Sequence, residues 1–235
     1  MFLFLVLFLN SKVNAQTIDS SMKLVSENVE YYKVITVNNN NIVKTFADNS
    51  IVEEISKDEY ESSNAIIPYS DGRVETNYKK LTSSIYQTSY GYRYQAQLEW
   101  KTIPSNRSYD ILAIGFAPNV AINSTINFNQ YYCFSSGDCR NNSASYLKST
   151  STGGGAFYKL PEGSLTTLKS TIYFDVRKNV DAVIKVQNAY ADSSHSVSSI
   201  SSSYSQSYNI NSSGIVLDSS IKNSFDSIPV SVANW

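Results

Sequence analysis

The stretch "YRYQAQLEWK", residues 92–101, places Tyr92, Tyr94, Ala96, Leu98 and Trp100 on one parity and Arg93, Gln95, Gln97, Glu99 and Lys101 on the other. A helix repeats its face every ~3.6 residues, so unbroken alternation over this length specifies a strand with one side on a core and one in water. A strand of this kind needs a sheet and a second layer to cover it. The rest of the chain supplies candidates for both.

After the turn-rich "TIPSNRS" comes "YDILAIGFA", residues 109–117, apolar at both parities and therefore expected to be buried on both faces. The Pro104–Ser108 loop between them suggests an antiparallel hairpin. "STIYFDV", residues 170–176, turns Ile172, Phe174 and Val176 inward, and "DAVIKVQNAYA", residues 181–191, alternates through Ile184, Val186, Asn188 and Tyr190. Turn signals at Lys178 and Asn179 suggest a second hairpin. "VETNYKKLTSSIYQTS", residues 74–89, reads as one long or two short strands. "GGGAFYKLPEG" reads as a short strand, Ala156–Leu160, between glycine-built turns. Near the N-terminus the pattern predicts a hairpin from Tyr31 to Phe46 around four asparagines, then a short acidic helix in "IVEEISKDEYESS". Pro68 and "SDG" interrupt the pattern and mark a boundary. Residues 16–69 are then a hairpin, linker or leader region, and residues 70–235 an all-β domain, an antiparallel β-sandwich.

The first fifteen residues, "MFLFLVLFLNSKVNA", have the form of a signal peptide, with an apolar run from Phe2 to Leu9 and small residues before Gln16. No Lys or Arg precedes the run, which departs from that form. Cleavage would remove Lys12 alone among the charges, leaving 18 basic against 20 acidic residues. That balance, without a basic cluster, excludes a nucleic-acid binder, whose affinity rests largely on phosphate neutralisation. The expectation is a secreted, extracellular protein. In that setting Cys133 and Cys139, in "YYCFSSGDCRNN", form a local disulfide. With one histidine and two cysteines in the chain, no Cys and His zinc site can be completed.

The single histidine, His195, lies in "AYADSSHSVSSISSSYSQSYNI", three residues from Asp192. Ile200, Ser202, Tyr204, Gln206, Tyr208 and Ile210 share one parity, so residues 199–210 read as a strand with a polar face. A serine hydrolase would need His195 against a serine nucleophile, with a carboxylate such as Asp192 fixing its tautomer. The chain has 40 serines and no G-x-S-x-G elbow, so a serine near a histidine carries no information. A structural or surface histidine is the favoured reading, with no catalytic residue assigned. Glu99, Glu162 and Asp175 fall at outward strand or turn positions, where a glycosidase pair cannot be told from surface charge. "GGGAFYK" lacks the ending of a phosphate loop, and "SSGDCRNN" lacks the ligand spacing of an EF-hand. No cofactor or metal is implied.

Taken in order, "TNYKKLTSSI", "LEWKTIPSNRSYDILAIGF", "GGGAFYKLPEG" with "LKSTIYFDVRKN", "AYADSSHS", and "GIVLDSS" with "ANW" resemble a family of small secreted proteins of Gram-positive bacteria whose activity is uncharacterised. The resemblance covers residues 70–235 and implies an exported bacterial β-protein. It carries no functional residue with it. The family pattern has a glycine and an aromatic where this chain has Ala191 and Ser193.

Eighteen tyrosines beside few candidate catalytic groups favour a non-enzymatic protein that binds a surface glycan or a protein partner, since tyrosine offers a flat apolar face and a hydroxyl. The alternatives are a pore-forming or membrane-active toxin, suggested by the alternating serine-rich stretch 193–213, and a hydrolase using Ser, Asp192 and His195.

Overall fold

The computed structural model describes residues 21–38, 50–63, 73–117, 119–178, 188–196, 199–227 and 231–234. The expected signal peptide, the asparagine turn and residues 181–187 lie outside them. In chain order the strands are β1 (Lys23–Asn38), β2 (Ser50–Ile55), β3 (Arg73–Thr88), β4 (Gly91–Trp100), β5 (Tyr109–Phe116), β6 (Val120–Ile122), β7 (Asn127–Phe134), β8 (Cys139–Asn142), β9 (Tyr146–Thr150), β10 (Gly153–Lys159), β11 (Leu165–Lys178), β12 (Asn188–Ser196), β13 (Tyr208–Asn211), β14 (Gly214–Leu217), β15 (Phe225–Ser227) and β16 (Ser231–Asn234). One helix, α1 (Lys57–Ser62), lies between β2 and β3.

The first sheet runs β2-β1-β3-β4-β11-β7-β8, with β6 also on β11. The second runs β15-β12-β5-β10-β9, with β16 also on β12, and β13 and β14 form a separate pair. The pairings are antiparallel, and the fold is all-β as the alternation predicts. Tyr94, Ala96, Leu98 and Trp100 of β4 point into the core with Leu81, Ile85, Leu168, Ile172, Phe174 and Val176 from the same sheet. They meet Leu112, Ile114, Phe116, Ala156, Tyr158 and Ala191 from the second. A smaller cluster lies on the far side of the second sheet, where Tyr208, Ile210, Ile221 and Phe225 cover Ile111, Ala113 and Phe157. β5 is thus enclosed on both faces, which is why its sequence is apolar at both parities.

Several connections differ from the expected ones. β4 and β5 are not a hairpin: β4 pairs with β3 and β11 in the first sheet, β5 with β10 and β12 in the second, and residues 101–108 cross between layers. β11 and the described part of the following strand, β12, are divided between the sheets in the same way. The glycines of "GGGAFYK" belong to β10 itself rather than to a turn. A Cβ on Gly154 would come within 2.7 Å of the Phe174 ring, and one on Gly155 within 2.6 Å of Ile210 Cδ1, so glycine lets both flanking layers close on the strand.

The acidic stretch read as a helix divides into β2 and α1. Ser56 Oγ caps α1 by accepting the Glu59 N–H at 3.1 Å. β1 pairs with β2, from Tyr31↔Ile55 to Thr36↔Ser50, and also with β3 along nearly its whole length. Tyr32 of β1 is fully buried in the main core. The N-terminal hairpin is therefore continuous with the first sheet rather than appended to it.

Residues 199–210 are not one strand. Ser202–Gln206 form a 3₁₀ turn, and β13 begins only at Tyr208. Ser201 Oγ accepts the Ser203 N–H at 3.2 Å, which shows serine hydroxyls competing for backbone that alternation alone would assign to a ladder. The long amphipathic strand that suggested a membrane-active protein is absent from the described residues.

Candidate functional site

His195 sits near the end of β12, directly across the ladder from Asp110 of β5 on one side and Asp226 of β15 on the other. Asp110 in turn faces Tyr158 of β10. The four side chains form a polar row, Tyr158–Asp110–His195–Asp226, on the inner face of the second sheet. Trp100 and Lys79 approach it from the first sheet. The Trp100 ring meets the His195 ring edge-on at 5.0 Å, and Lys79 Nζ lies 4.9 Å from the Trp100 ring centroid and 3.9 Å from Asp226 Oδ1. All six residues are buried.

His195 Nδ1 is 2.8 Å from Asp110 Oδ1 and donates to it, and the Ser196 N–H reaches the same oxygen at 3.3 Å. Desolvation pulls the imidazole pKa down. The Asp110 carboxylate, by charge and hydrogen bond, outweighs that with help from Asp226 and against Lys79, and the net result is a pKa above the ordinary histidine value. The Tyr158 hydroxyl is pushed well above its ordinary value, chiefly by burial and then by the Asp110 charge.

Asp192 is not part of this site. Three residues along a strand lies on the opposite face, and Asp192 points outward under β14, where its Oδ2 accepts the Ile215 N–H at 2.8 Å. Gly214 closes over it: a Cβ there would stand 2.5 Å from Oδ2. Burial pushes the Asp192 carboxyl up to about 6, against the hydrogen bonds from Ile215 and Ser193. The hydrolase arrangement of Asp192 orienting His195 is thus excluded by strand geometry. Asp110 holds His195 instead, and the ring is sealed between the sheets.

Asp110, Asp226 and Lys79 were not singled out by sequence reasoning, although two left a signal. Asp110 shares the inward parity of Leu112, Ile114 and Phe116, and Lys79 that of Leu81 and Ile85. A charge on the apolar parity of a strand is the mark of a buried ionic group.

The carboxylates weighed for glycoside hydrolysis are each engaged by a cation. Glu99 contacts Lys169 at 3.1 Å and Lys80 at 3.2 Å, Asp175 contacts Arg93 at 2.7 Å, and Glu162 contacts Lys159 at 2.8 Å. Cys133 and Cys139 are a cross-strand pair of β7 and β8 and form the expected disulfide.

Among the described residues, a concave feature of the surface lies where residues 101–108 cross between the sheets. A groove of about 540 Å³ is lined by Asn106, Arg107, Tyr109, Lys159, Glu162 and the Ser199–Ser202 segment, among others. Arg107 braces one wall, donating from Nε to Pro104 O and from Nη1 to Pro161 O at 2.9 Å. Ser108 Oγ accepts the Ile200 N–H at 2.8 Å, and Asn106 Nδ2 donates to Ser196 O at 2.6 Å, fixing the opposite wall to the end of β12. Tyr109 stacks on Phe157 with ring centroids 4.7 Å apart. The lining is polar and charged around one braced aromatic ring.

Neither a family model nor a curated protein matches the chain. Among solved structures it is similar to a chain titled BspA_C_WT, at 7% identity over 87% of this chain and 84% of that one, with a TM-score of 0.32.

Proposed function

We propose that the protein is a secreted, non-enzymatic β-sandwich that binds a surface glycan or a protein partner through the groove at the β4–β5 crossing. The observation that supports this is the groove's construction. Hydrogen bonds between separate segments hold it open, and its lining offers cations, a carboxylate, an amide and hydroxyls around Tyr109, the mixture that fits a sugar's hydroxyls and apolar ring face. A glycan is the better fit, because the lining is mostly polar rather than apolar. The histidine that a serine hydrolase would need is enclosed instead.

The test is binding of the folded protein to an array of bacterial and host oligosaccharides, repeated with Tyr109→Ala and Lys159→Ala. Binding weakened about tenfold or more by either change supports the reading, a loss of roughly 1.4 kcal/mol. Binding that both variants retain in full moves the site elsewhere, and hydrolysis of any arrayed sugar contradicts the non-enzymatic reading.

A further inference from the structure

The pair formed by Lys79 and Asp226 is not a normal ion pair. Lys79 comes from β3 of the first sheet and Asp226 from β15 of the second, with side-chain exposures of 0% and 2%. Their closest polar atoms are 3.9 Å apart, outside hydrogen-bond range. Among the described residues Lys79 Nζ makes no hydrogen bond, and neither does either Asp226 oxygen. An ammonium over the Trp100 ring with its donors unfilled, beside a carboxylate accepting nothing, is among the least stable arrangements a protein interior can hold. Passing one proton from the amine to the carboxyl makes both groups neutral. It also creates a reactive pair: a free amine, which is a nucleophile, beside a carboxylic acid, which is an electrophile.

We propose that Lys79 and Asp226 condense into an intramolecular isopeptide bond that joins the two sheets, with His195, held by Asp110, carrying the proton. In the forward step Nζ attacks Cγ of protonated Asp226, forming the N–C bond. The proton released by nitrogen passes through the His195 imidazole to the departing hydroxyl, the C–O bond breaks, and one water leaves. An amine and a carboxylic acid give an amide and water, with no oxidant, cofactor or activated donor. The fold supplies what free lysine and aspartate lack: fixed proximity, a site closed to water, and an imidazole directly across the ladder from Asp226 with its Nδ1 tied to Asp110 at 2.8 Å. The product removes both buried charges. It replaces an unsatisfied ion pair with a covalent clasp between layers that, unlike the Cys133–Cys139 bridge, a reductant cannot open.

The test is the mass of the folded chain, its β structure confirmed by circular dichroism, followed by a tryptic digest. The expected result is an intact mass one water below that of the secreted sequence with its Cys133–Cys139 bridge closed. The digest should hold a branched peptide joining the segments around Lys79 and Asp226, and no cleavage after Lys79. Lys79→Ala and Asp226→Ala should each appear without the water loss. Wild-type protein at full mass, or a water loss located elsewhere by the digest, overturns the proposal, whether or not the variants fold. Asp110→Asn keeps both reacting groups and is expected to link slowly or incompletely. Linking at the wild-type rate would overturn the role given to the His195–Asp110 pair.

Discussion

At the scale of single residues, the enclosed His195 and Asp192 set how stability responds to pH. Desolvation lowers the His195 pKa, and the Asp110 carboxylate, by charge and hydrogen bond, outweighs it and raises the folded value; the smaller Asp226 and Lys79 effects oppose each other and vanish together where those two residues are joined. The stabilisation from the protonated imidazole is complete below the free value of about 6.5 and is lost as pH rises through the folded value. Asp192 acts with the same sign. Burial raises its carboxyl from 3.8 to about 6, partly offset by the hydrogen bonds from Ile215 and Ser193, so ionising it costs more in the fold than in the unfolded chain and stability falls as pH rises across that interval. Urea unfolding midpoints are therefore expected to fall from pH 5 to pH 8, and Asp192→Asn should flatten the part of the decline below about pH 6. A midpoint that rises across this range contradicts the account. Removing one partner of a buried ionic pair leaves the other uncompensated, so Asp110→Ala is expected to cost about 3–5 kcal/mol by urea titration. A loss below about 1 kcal/mol would mean that the pair is not enclosed.

Among the elements, the strands most legible in the sequence were those whose environment is uniform along their length. β4 has one wet and one dry face and alternates cleanly; β5 has two dry faces and does not alternate. Pairing was less legible, because neighbours in sequence usually pair, and nothing in "TIPSNRS" distinguishes a hairpin loop from a crossing between sheets. The 3₁₀ turn at 202–206 was missed because serine hydroxyls satisfy backbone locally while leaving the alternation of Ile200, Tyr204 and Tyr208 intact. The site was half legible: the lone His195 drew notice, but its partner was sought along the strand, at Asp192, when a strand's contacts lie across the ladder, at Asp110. Two predictions belong to this scale. A Cβ on Gly115 would lie 2.3 Å from Asn211 O and 3.0 Å from Gly214 N, so Gly115→Ala must push the β13–β14 hairpin off the second sheet, at about 1–3 kcal/mol by urea unfolding. Replacing Cys133 and Cys139 together by Ser frees a short loop and should cost about 2 kcal/mol, read as a lower melting temperature.

For the whole molecule, β1 in the middle of the first sheet's N-terminal half ties residues before the expected boundary into the same core as residues after it. Deleting residues 1–70 should therefore abolish the folded state rather than release an independent sandwich, a result that circular dichroism of the shortened chain would show directly. The same architecture separates a sealed polar row from an open polar groove, and the functional reading rests on that separation. Because the chain has a single histidine, the His195 ring gives one unambiguous imidazole signal in a nuclear magnetic resonance spectrum. The most direct test is to titrate the protein with the tightest-binding oligosaccharide from the array and follow that signal together with the backbone amides. The account predicts shifts at residues 105–109, 159–162 and 199–202 while the His195 ring stays unmoved. A ring signal that moves with ligand while the groove amides stay silent would contradict it and place the binding site at the enclosed row.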